Sequence, residues 1–462
     1  MIGARKCNRL APGCESVGVE CVIVLFNRDL RVHDHPALDA ACDRARSVVP
    51  LFVIEPKLPS GHRGGFLLDC LADLRSSLRD RGGDLVVRRG DAVAETMRLA
   101  DEVGADAVWT SADVSGYARG REGRLAAECE RARLDFQLFG GVTVVAPGAV
   151  VPAGGGDHYR VFTPYWRAWQ ATRRRAVLPA PERVALPAGL APGRIPASFP
   201  GRRGRSAGGV ASGRSVRHGT LAGGETAARE RLQRWLRFSA ADYPDVRDDL
   251  AGDGTSKVSP YLRFGCLSPL EVVTRAEGVG GEEFTRQLCW RDFFHQVAYA
   301  FPEINRRDYR PGGGEWRDDK DALDAWREGH TGIPIVDAGM RQLEAEGWMH
   351  NRARMIVASY LVKHLRVDWR LGADHFFDLL LDGDVANNSG NWQWAAGTGN
   401  DTRPNRVLNP IRQAKRFDPD GDYVRRYVPE LEHLSAKIVH EPWKLPSPLR
   451  RYPPPLTPPP TA

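Results

Sequence analysis

The sequence predicts an α/β N-terminal domain built on a doubly wound parallel sheet, followed by an all-α C-terminal domain. Short apolar runs alternate with helical patterns as far as Phe139, and the pattern becomes almost wholly helical after Thr220. An arginine-rich stretch without a clear period separates the two regions. The length of 462 residues agrees with two domains, because a single hydrophobic core seldom extends over so long a chain.

The first strand is predicted at residues 21–26, a continuous apolar run typical of a strand that is buried on both faces of a parallel sheet. Similar runs follow, separated by helical patterns, which favours right-handed crossovers. The predicted strands are 21–26, 48–54, 85–87, 107–110 and 134–139, and the predicted helices of this domain are near 66–80, 92–103 and 117–132. Ligands in such sheets bind at the carboxyl ends of the strands.

The helical domain is predicted over residues 220–443. Its expected helices are 226–238, 269–276, 282–300, 320–328, 336–346, 351–365 and 374–381. We expect residues 1–20 to be a disordered extension, 21–150 the sheet domain, 151–219 an interdomain linker and 444–462 a proline-rich tail. Between residues 171 and 218 there are ten arginines and a single acid, Glu182, which indicates solvated linker charge.

Composition narrows the classes of protein to consider. The formal charge of +7 and a pI near 9.0 are compatible with a polyanionic partner such as nucleic acid. No apolar run is long enough to cross a bilayer, and the first twenty residues lack the apolar core of a secretory signal. The eight cysteines form no C-x-x-C pair, so neither structural zinc nor a disulfide framework is indicated. We therefore expect a cytoplasmic protein, associated with the nucleoid if it is bacterial.

The most informative stretch is residues 379–400, LLLDGDVANNSGNWQWAAGTGN. Asp382, Asp384, Asn387 and Asn388 offer hydrogen-bonding groups for a planar polar ring, and glycines allow the backbone to approach a ligand closely. Two tryptophans, at positions 392 and 394, lie immediately beside them. The alternative is an Asn/Gly-rich loop that caps a helix, with tryptophans that fill the core.

This stretch resembles the flavin-binding signature of the DNA photolyase and cryptochrome family, and the resemblance extends from about Val22 to about Trp443. Residues 26–38, FNRDLRVHDHPAL, are similar to the N-terminal signature of that family, although Asn27 stands where an arginine is usual. The resemblance implies an all-α FAD-binding domain and light-driven repair of cyclobutane pyrimidine dimers in DNA. Excited reduced FAD would give an electron to a dimer that has flipped out of the duplex.

The segment 252–265, GDGTSKVSPYLRFG, places small residues and hydroxyls at a predicted helix start, which can hold a phosphate or can simply cap the helix. By resemblance, this segment grips the FAD diphosphate, Asp382 pairs with Arg352, Asp384 bonds the isoalloxazine ring and Asn388 faces its N5. The implied FAD-binding residues are Tyr243, Thr255, Ser256, Lys257, Val258, Ser259, Gln287, Arg291, Arg352, Asp382, Gly383, Asp384 and Asn388.

The implied DNA contacts include Trp290, which shares one face of a predicted helix with Gln287 and Arg291. A buried tryptophan beside a surface arginine is the alternative. The full implied set is Arg247, Trp290, Asn351, Arg352, Met355, Trp394 and Gln413. Gln287 stands where dimer-specific members usually have Glu; an amide can bond a carbonyl but cannot act as an acid, so we expect weaker repair or an altered substrate preference.

Five residues are implied to take part in the reaction: Trp392, Trp369, Trp316, Asn388 and Gln287. The three tryptophans match the family's electron-transfer chain, with Trp326 ten residues after Trp316. Core packing is the alternative for such residues. Repair of (6-4) photoproducts is disfavoured, because Asn351 and Met355 stand where those members have histidines and neither can shuttle a proton. His350 is interpreted as structural.

A second chromophore is implied in the sheet domain. Residues 111–122, SADVSGYARGRE, resemble the deazaflavin-binding members, with Asp113 as the candidate contact and an 8-hydroxy-5-deazaflavin favoured over a folate. A solvated surface Asp is the alternative. We expect no metal, no membrane, no obligate protein partner and a monomer. The rival function is a cryptochrome-like photoreceptor without repair: Gln287 favours it, and the short tail from Leu445 disfavours it.

Overall fold

The computed structural model describes residues 19–56, 62–199, 221–252, 254–311, 315–403 and 406–458. The predicted N-terminal extension lies outside the described residues except for its last two positions, as do the end of the predicted linker and residues 459–462 of the tail. In the part of the chain that is described, no helix is both long and apolar enough to cross a membrane.

The N-terminal domain is a five-stranded parallel sheet with the order β3-β2-β1-β4-β5. Its strands are β1 (Val19–Leu25), β2 (Ala45–Ile54), β3 (Val86–Arg89), β4 (Ala107–Ser111) and β5 (Asp135–Phe139). The helices between them are α1 (Pro36–Arg44), α2 (His62–Arg79), α3 (Ala92–Val103) and α4 (Gly116–Ala132). The predicted doubly wound parallel sheet is confirmed.

Central strand β1 shows why its sequence is apolar without interruption. Ile23 pairs with Val49 of β2 on one side and with Val108 of β4 on the other. Alternate side chains enter different cores: Val22 and Val24 pack on one face of the sheet and Ile23 on the other. Because helices cover both faces, neither set of side chains can be polar.

The segment 151–219 was predicted as a linker, and its described part is ordered against both domains. Helix α5 (Phe162–Ala171) lies at its start and buries four aromatic rings, at positions 162, 165, 166 and 169. Further on, the carbonyls of Ala185 and Pro192 accept backbone hydrogen bonds from Val48 and Val87. The aromatic residues recur at helical spacing, so periodicity alone could have revealed this helix.

The C-terminal domain is helical, as predicted. Its helices are α6 (Glu225–Phe238), α7 (Tyr243–Val246), α8 (Ser259–Phe264), α9 (Pro269–Glu277), α10 (Glu282–Ala300), α11 (Lys320–Arg327), α12 (Pro334–Glu346), α13 (Asn351–Ser359), α14 (Trp369–Leu379), α15 (Val385–Ala396), α16 (Pro410–Phe417) and α17 (Asp422–Tyr427). A π-helical turn (Tyr360–Leu365) continues α13, so the predicted helix over 351–365 has two parts. Short 3-10 turns follow at Pro429–Leu431 and Pro442–Lys444.

The tail is packed on the helical domain in its described part. The buried Tyr452 hydroxyl donates to Asp337 Oδ2 at 2.5 Å, and the Leu456 N–H donates to the Thr331 carbonyl at 3.0 Å. Asp337 also accepts from the Thr331 N–H and hydroxyl, both at 2.7 Å. Residues 444–458 therefore include a segment that satisfies buried polar groups.

Candidate functional site

A cavity of about 560 Å³ lies inside the helical domain, between the segment before α8 and helices α10, α13 and α15. Its volume is within the range of small-molecule and cofactor sites. The lining residues are Arg28, Tyr243, Arg247, Asp248, Thr255, Ser256, Lys257, Val258, Ser259, Leu262, Arg263, Phe284, Gln287, Leu288, Trp290, Arg291, Phe294, Trp348, Met349, Asn351, Arg352, Arg354, Met355, Ala358, Phe376, Leu380, Asp382, Gly383, Asp384, Asn387, Asn388, Asn391, Trp392, Trp394 and Ala395.

Most of the predicted site residues line this one cavity, although they come from five separate stretches of sequence. All thirteen residues predicted to bind FAD are among them, as are six of the seven predicted DNA contacts. Four predicted residues are not lining residues: Trp316, Trp369, Gln413 and Asp113.

Arg291 gives the cavity a buried cation with one nitrogen that has no hydrogen-bond acceptor among the described residues. Its Nη1 donates to the Val142 carbonyl at 2.6 Å and lies 3.6 Å from Asp292 Oδ1, whereas its Nη2 is buried without a hydrogen-bond partner within the described chain. Burial lowers the pKa of Arg291, although the charge of Asp292 opposes this effect. A buried guanidinium N–H that has no hydrogen-bond acceptor lowers the stability of the folded protein. The donor therefore fits an acceptor-bearing ligand such as a phosphate or a flavin.

Asp384 begins α15 and is tied to the sheet domain. Its Oδ1 accepts from the Asn387 N–H at 2.8 Å, which is an N-cap, and its Oδ2 lies 2.5 Å from Arg28 Nη2. Burial alone would raise the pKa of Asp384, but Arg28, His295, Arg263 and Arg291 hold it well below its usual range. Both carboxylate oxygens thus have partners in the protein. The predicted bond between the Asp384 side chain and a planar ring stays a prediction.

Arg28 carries a second ion pair, to Asp113 at 3.2 Å. Burial would raise the pKa of Asp113, but the charge of Arg28 lowers it. Asp113 is therefore an ionised, largely buried partner of Arg28, which differs from the alternative of a solvated loop residue. Its role as an antenna contact stays a prediction.

The predicted pairing of Asp382 with Arg352 is wrong. Asp382 Oδ2 lies 2.8 Å from Arg354 Nη2, while Arg352 Nη2 lies 2.8 Å from Asp248 Oδ2. Residues two positions apart on a helix point in nearly opposite directions, so Arg352 and Arg354 cannot both reach the same carboxylate. Arg354 was missed even though it lies only two positions after Arg352 and three after Asn351, both of which were predicted.

The wall of the cavity formed by α13 and α15 carries the predicted lesion contacts. Asn351 and Met355 lie one turn apart, with the Asn351 Nδ2 3.9 Å from the Met355 sulfur. Trp394 is half-buried on the neighbouring helix, and Gln287 on α10 is exposed. Gln413 is not a lining residue, because α16 turns Ile411, Ala414 and Phe417 into the core and leaves Gln413 on another face.

The predicted tryptophans of the electron-transfer chain belong to, or pack against, one hydrophobic core. Trp392 is buried and lines the cavity, and its ring centroid lies 5.9 Å from that of Trp326. Trp369 is buried in the same core and donates from Nε1 to Asp308 Oδ1 at 2.9 Å. Trp316 is half-buried against this core.

His350 caps α13, as its structural interpretation required. Its Nδ1 accepts from the Arg352 N–H at 3.1 Å, and burial lowers its pKa to about 4. The imidazole is therefore neutral at physiological pH. Neither it nor the Asn351–Met355 pair offers a proton-transfer group that titrates near neutrality beside the lesion contacts.

Several lining residues were not predicted. Phe284 is three positions before Gln287 on α10, so helical spacing could have indicated it. Arg28 is more than two hundred residues from the rest of the site in sequence. It lies in the run 26–38 that resembles the N-terminal signature of the family, but that resemblance assigned it no role in the cavity.

Two family models match the chain. Residues 22–184 match DNA photolyase, and residues 284–457 match the FAD binding domain of DNA photolyase. A protein of Streptomyces griseus named deoxyribodipyrimidine photo-lyase is 51% identical over 92% of this chain and 92% of its own length. A Natronomonas pharaonis protein named cryptochrome DASH is 35% identical over 92% of this chain and 94% of its own.

Solved structures agree over almost the whole length. A bacterial class III photolyase from Agrobacterium tumefaciens superposes with a TM-score of 0.87 at 34% identity, covering 97% of this chain and 96% of that one. An archaeal photolyase from Sulfolobus tokodaii, solved with two FAD molecules, gives 0.81 at 29% identity, covering 95% and 96%. These matches confirm the resemblance found in the sequence: the chain belongs to the DNA photolyase and cryptochrome family.

Proposed function

We propose that this protein repairs cyclobutane pyrimidine dimers in DNA with light, using FAD held in the cavity of the helical domain. The observation that carries the proposal is that one cavity contains two different linings. Hydroxyl and arginine side chains on one part suit a nucleotide cofactor. Aromatic and amide side chains on the other part suit two adjacent bases of one DNA strand. When bound, reduced FAD would be the electron donor after it absorbs light. The relatives named as deoxyribodipyrimidine photo-lyases support the same substrate.

The protein's share of the reaction is binding and orientation. Arg247, Asn351 and Arg352 line the cavity and would hold DNA around an extruded dinucleotide, while Trp290 and Trp394 offer flat faces for its bases. Extrusion costs a few kcal/mol or less, because a dimer already weakens stacking and pairing. The exposed Gln287 amide would bond a pyrimidine carbonyl as a neutral donor.

Asn388 is oriented for a ring nitrogen. Its Nδ2 donates to the Ala373 carbonyl at 2.8 Å, which leaves its Oδ1 available to accept a hydrogen bond from a ligand. An amide oxygen at that place stabilises a protonated ring nitrogen without adding a negative charge. This arrangement supports a role for Asn388 in holding the reduced form of the cofactor.

The tryptophans would reduce oxidised cofactor. We propose that Trp392, Trp369 and Trp316 pass an electron inward, because the first lines the cavity, the second lies in the same core and the third is half-buried. Trp326 contacts Trp392 directly and offers a branch to this chain.

A dimer-loss assay tests the proposal. An oligonucleotide that contains cyclobutane dimers is incubated with the FAD-loaded protein in blue light and in the dark, and the remaining dimers are measured. We expect loss of dimers in the light only. Retained dimers together with normal flavin photoreduction would favour the photoreceptor alternative. Gln287 and the similarity to a cryptochrome DASH are the observations that support this alternative.

We further propose a second, light-harvesting chromophore in the sheet domain, with a deazaflavin favoured over a folate. The likeness of residues 111–122 to deazaflavin-binding members supports it, whereas the two FAD molecules of the archaeal structure make a second flavin the competitor. Extraction of the chromophores from purified protein distinguishes the three.

A further inference from the structure

Phe162 of α5 forms the second layer of the cavity wall at Trp290. The two rings are parallel, with centroids 3.7 Å apart and an angle of 4° between their planes. Phe162 is 6% exposed and does not line the cavity, whereas Trp290 is half-buried and does. One face of the Trp290 indole is therefore covered by a ring that no ligand in the cavity can touch.

Helix α5 is also fastened to α10 beside this stack, at positions that follow it on both helices. Trp169 donates from Nε1 to Asp292 Oδ2 at 3.0 Å, and the Tyr165 ring lies 5.6 Å from that of Phe293. Asp292 and Phe293 directly follow Trp290 and its neighbour Arg291 on α10. These contacts between α5 and α10 set the position of Phe162, and α5 precedes the helical domain in sequence.

The edges of the Trp290 ring are also restrained. Phe293 meets it at 5.5 Å and 83°, and Phe294 at 5.9 Å and 33°. A face-to-face neighbour together with edge contacts fixes the plane of an indole more firmly than burial alone. A base that stacks on a wall already held flat loses less conformational freedom on binding.

We propose that Phe162 is a positioning residue for lesion binding: by stacking on Trp290, it holds the indole as a flat wall for a flipped pyrimidine pair. This inference rests on the proposed function. It makes the segment between the two domains part of the substrate site, although its own side chains do not reach the lesion.

The test compares Phe162→Leu with Phe52→Leu in the FAD-loaded protein. Both replace a buried phenylalanine, but Phe162 stacks on Trp290, whereas Phe52 lies on β2 and does not line the cavity. We measure the dissociation constant for a dimer-containing oligonucleotide and for its undamaged counterpart in the dark. Because stacking on an aromatic ring contributes about 1–3 kcal/mol per base, we expect F162L to weaken dimer binding about tenfold, and F52L to leave it near wild type.

Steady-state repair gives a second readout. F162L should raise KM about tenfold with kcat nearly unchanged, and Phe162→Tyr, which keeps a flat ring, should restore KM. If F162L lost FAD, the flexible Phe162→Met would replace it in both measurements.

These measurements distinguish a failure of the Phe162 proposal from a failure of the proposed function. Equal dimer binding by F162L and wild type, or equal weakening in F162L and F52L, would overturn the role of Phe162 while leaving the proposed function intact. A wild-type protein that bound damaged and undamaged DNA equally would overturn the proposed function, and this inference with it.

Discussion

Arg352 and Arg354 lie two positions apart on α13 and serve different carboxylates. Arg354 pairs with Asp382, whose side chain is 6% exposed, so this ion pair belongs to the buried wall of the cavity. Arg352 pairs with Asp248, which is 34% exposed, and its guanidinium carbon lies 4.3 Å from the Phe417 ring centroid. The Arg354–Asp382 pair is part of the buried wall of the cavity, whereas the Arg352–Asp248 pair holds a cation where the lining is more exposed to solvent.

Replacing the two aspartates should separate these roles. Asp382→Asn leaves Arg354 without a buried counter-charge, which costs about 3–5 kcal/mol, and it should lower the FAD content. Asp248→Asn removes a more exposed partner and should cost about 1 kcal/mol or less. Denaturant unfolding and the flavin-to-protein absorbance ratio measure both effects. Equal losses in the two variants would contradict the assignment of partners.

The burial of His350 predicts that the free energy of unfolding depends on pH. Burial disfavours the charged imidazole and lowers its pKa to about 4 in the folded protein, from the ordinary histidine value of about 6.5. Between these values the unfolded chain binds the extra proton, so this contribution to stability is present above pH 6.5 and is lost as the pH falls towards 4.

His350→Asn keeps a good N-cap residue and removes the titration. Wild type should lose about 2 kcal/mol more unfolding free energy than the variant between pH 7 and pH 5. Urea unfolding at the two pH values measures the difference, with the exposed His433→Asn as the matched control. Identical pH dependence in wild type and H350N would show that His350 is not protonated on unfolding.

Single residues also show what the sequence could and could not reveal about the site. The hydroxyl, amide and tryptophan positions were found because they cluster in short runs, and the cavity brings those runs together. The partner of Asp382 was misassigned because a run of letters does not say which of two arginines points towards a carboxylate. Arg28 was missed because its role depends on contacts with Asp113 and Asp384 that only the folded chain creates.

At the scale of elements, the site depends on the close crossing of α10 and α15. A Cβ atom placed on Gly390 of α15 would lie 2.1 Å from Phe294 Cδ1 of α10. Gln287 and Trp290 stand on one of these helices, and Asn388 and Trp392 on the other. The separation of the two helices therefore sets the width of the cavity.

Gly390→Ala should push the two helices apart. Overpacking in a dense core costs about 1–3 kcal/mol, and we expect a lower FAD content as well. The control is Gly123→Ala on α4, where an added methyl group has no neighbour within 4 Å. There alanine should stabilise the helix by up to about 1 kcal/mol. Thermal unfolding and flavin content measure both variants, and a G390A protein as stable as G123A would contradict the tight crossing.

Elements differed in how well the sequence predicted them. The strands were found because burial on both faces makes each an uninterrupted apolar run. Helix α15 was not predicted as a helix, since its asparagines and glycine have low helix propensity, and the Asp384 cap and the packing of Gly390 outweigh that propensity. The helix before residue 171 was included in a linker because arginine and proline dominate the stretch that follows it.

At the scale of the whole molecule, the sheet domain completes the cavity of the helical domain. Arg28 follows β1, lines the cavity and bridges Asp113 of the sheet domain to Asp384 of α15. Opposing charges raise the pKa of Arg28 despite its burial. The cofactor site therefore requires both domains, although residues 284–457 alone match the FAD-binding model.

Removing the bridging charge tests this dependence between domains. Arg28→Met removes the shared ion-pair partner of two buried carboxylates, which should cost about 3–5 kcal/mol and lower the FAD content. Adding Asp113→Asn removes one of the two charges, so the double variant should be more stable than the sum of the two single effects predicts. A double-mutant cycle on unfolding free energies measures this coupling, which should exceed about 0.5 kcal/mol for groups in contact. Additive effects, or full FAD content in R28M, would mean that the helical domain forms its cofactor site without the sheet domain.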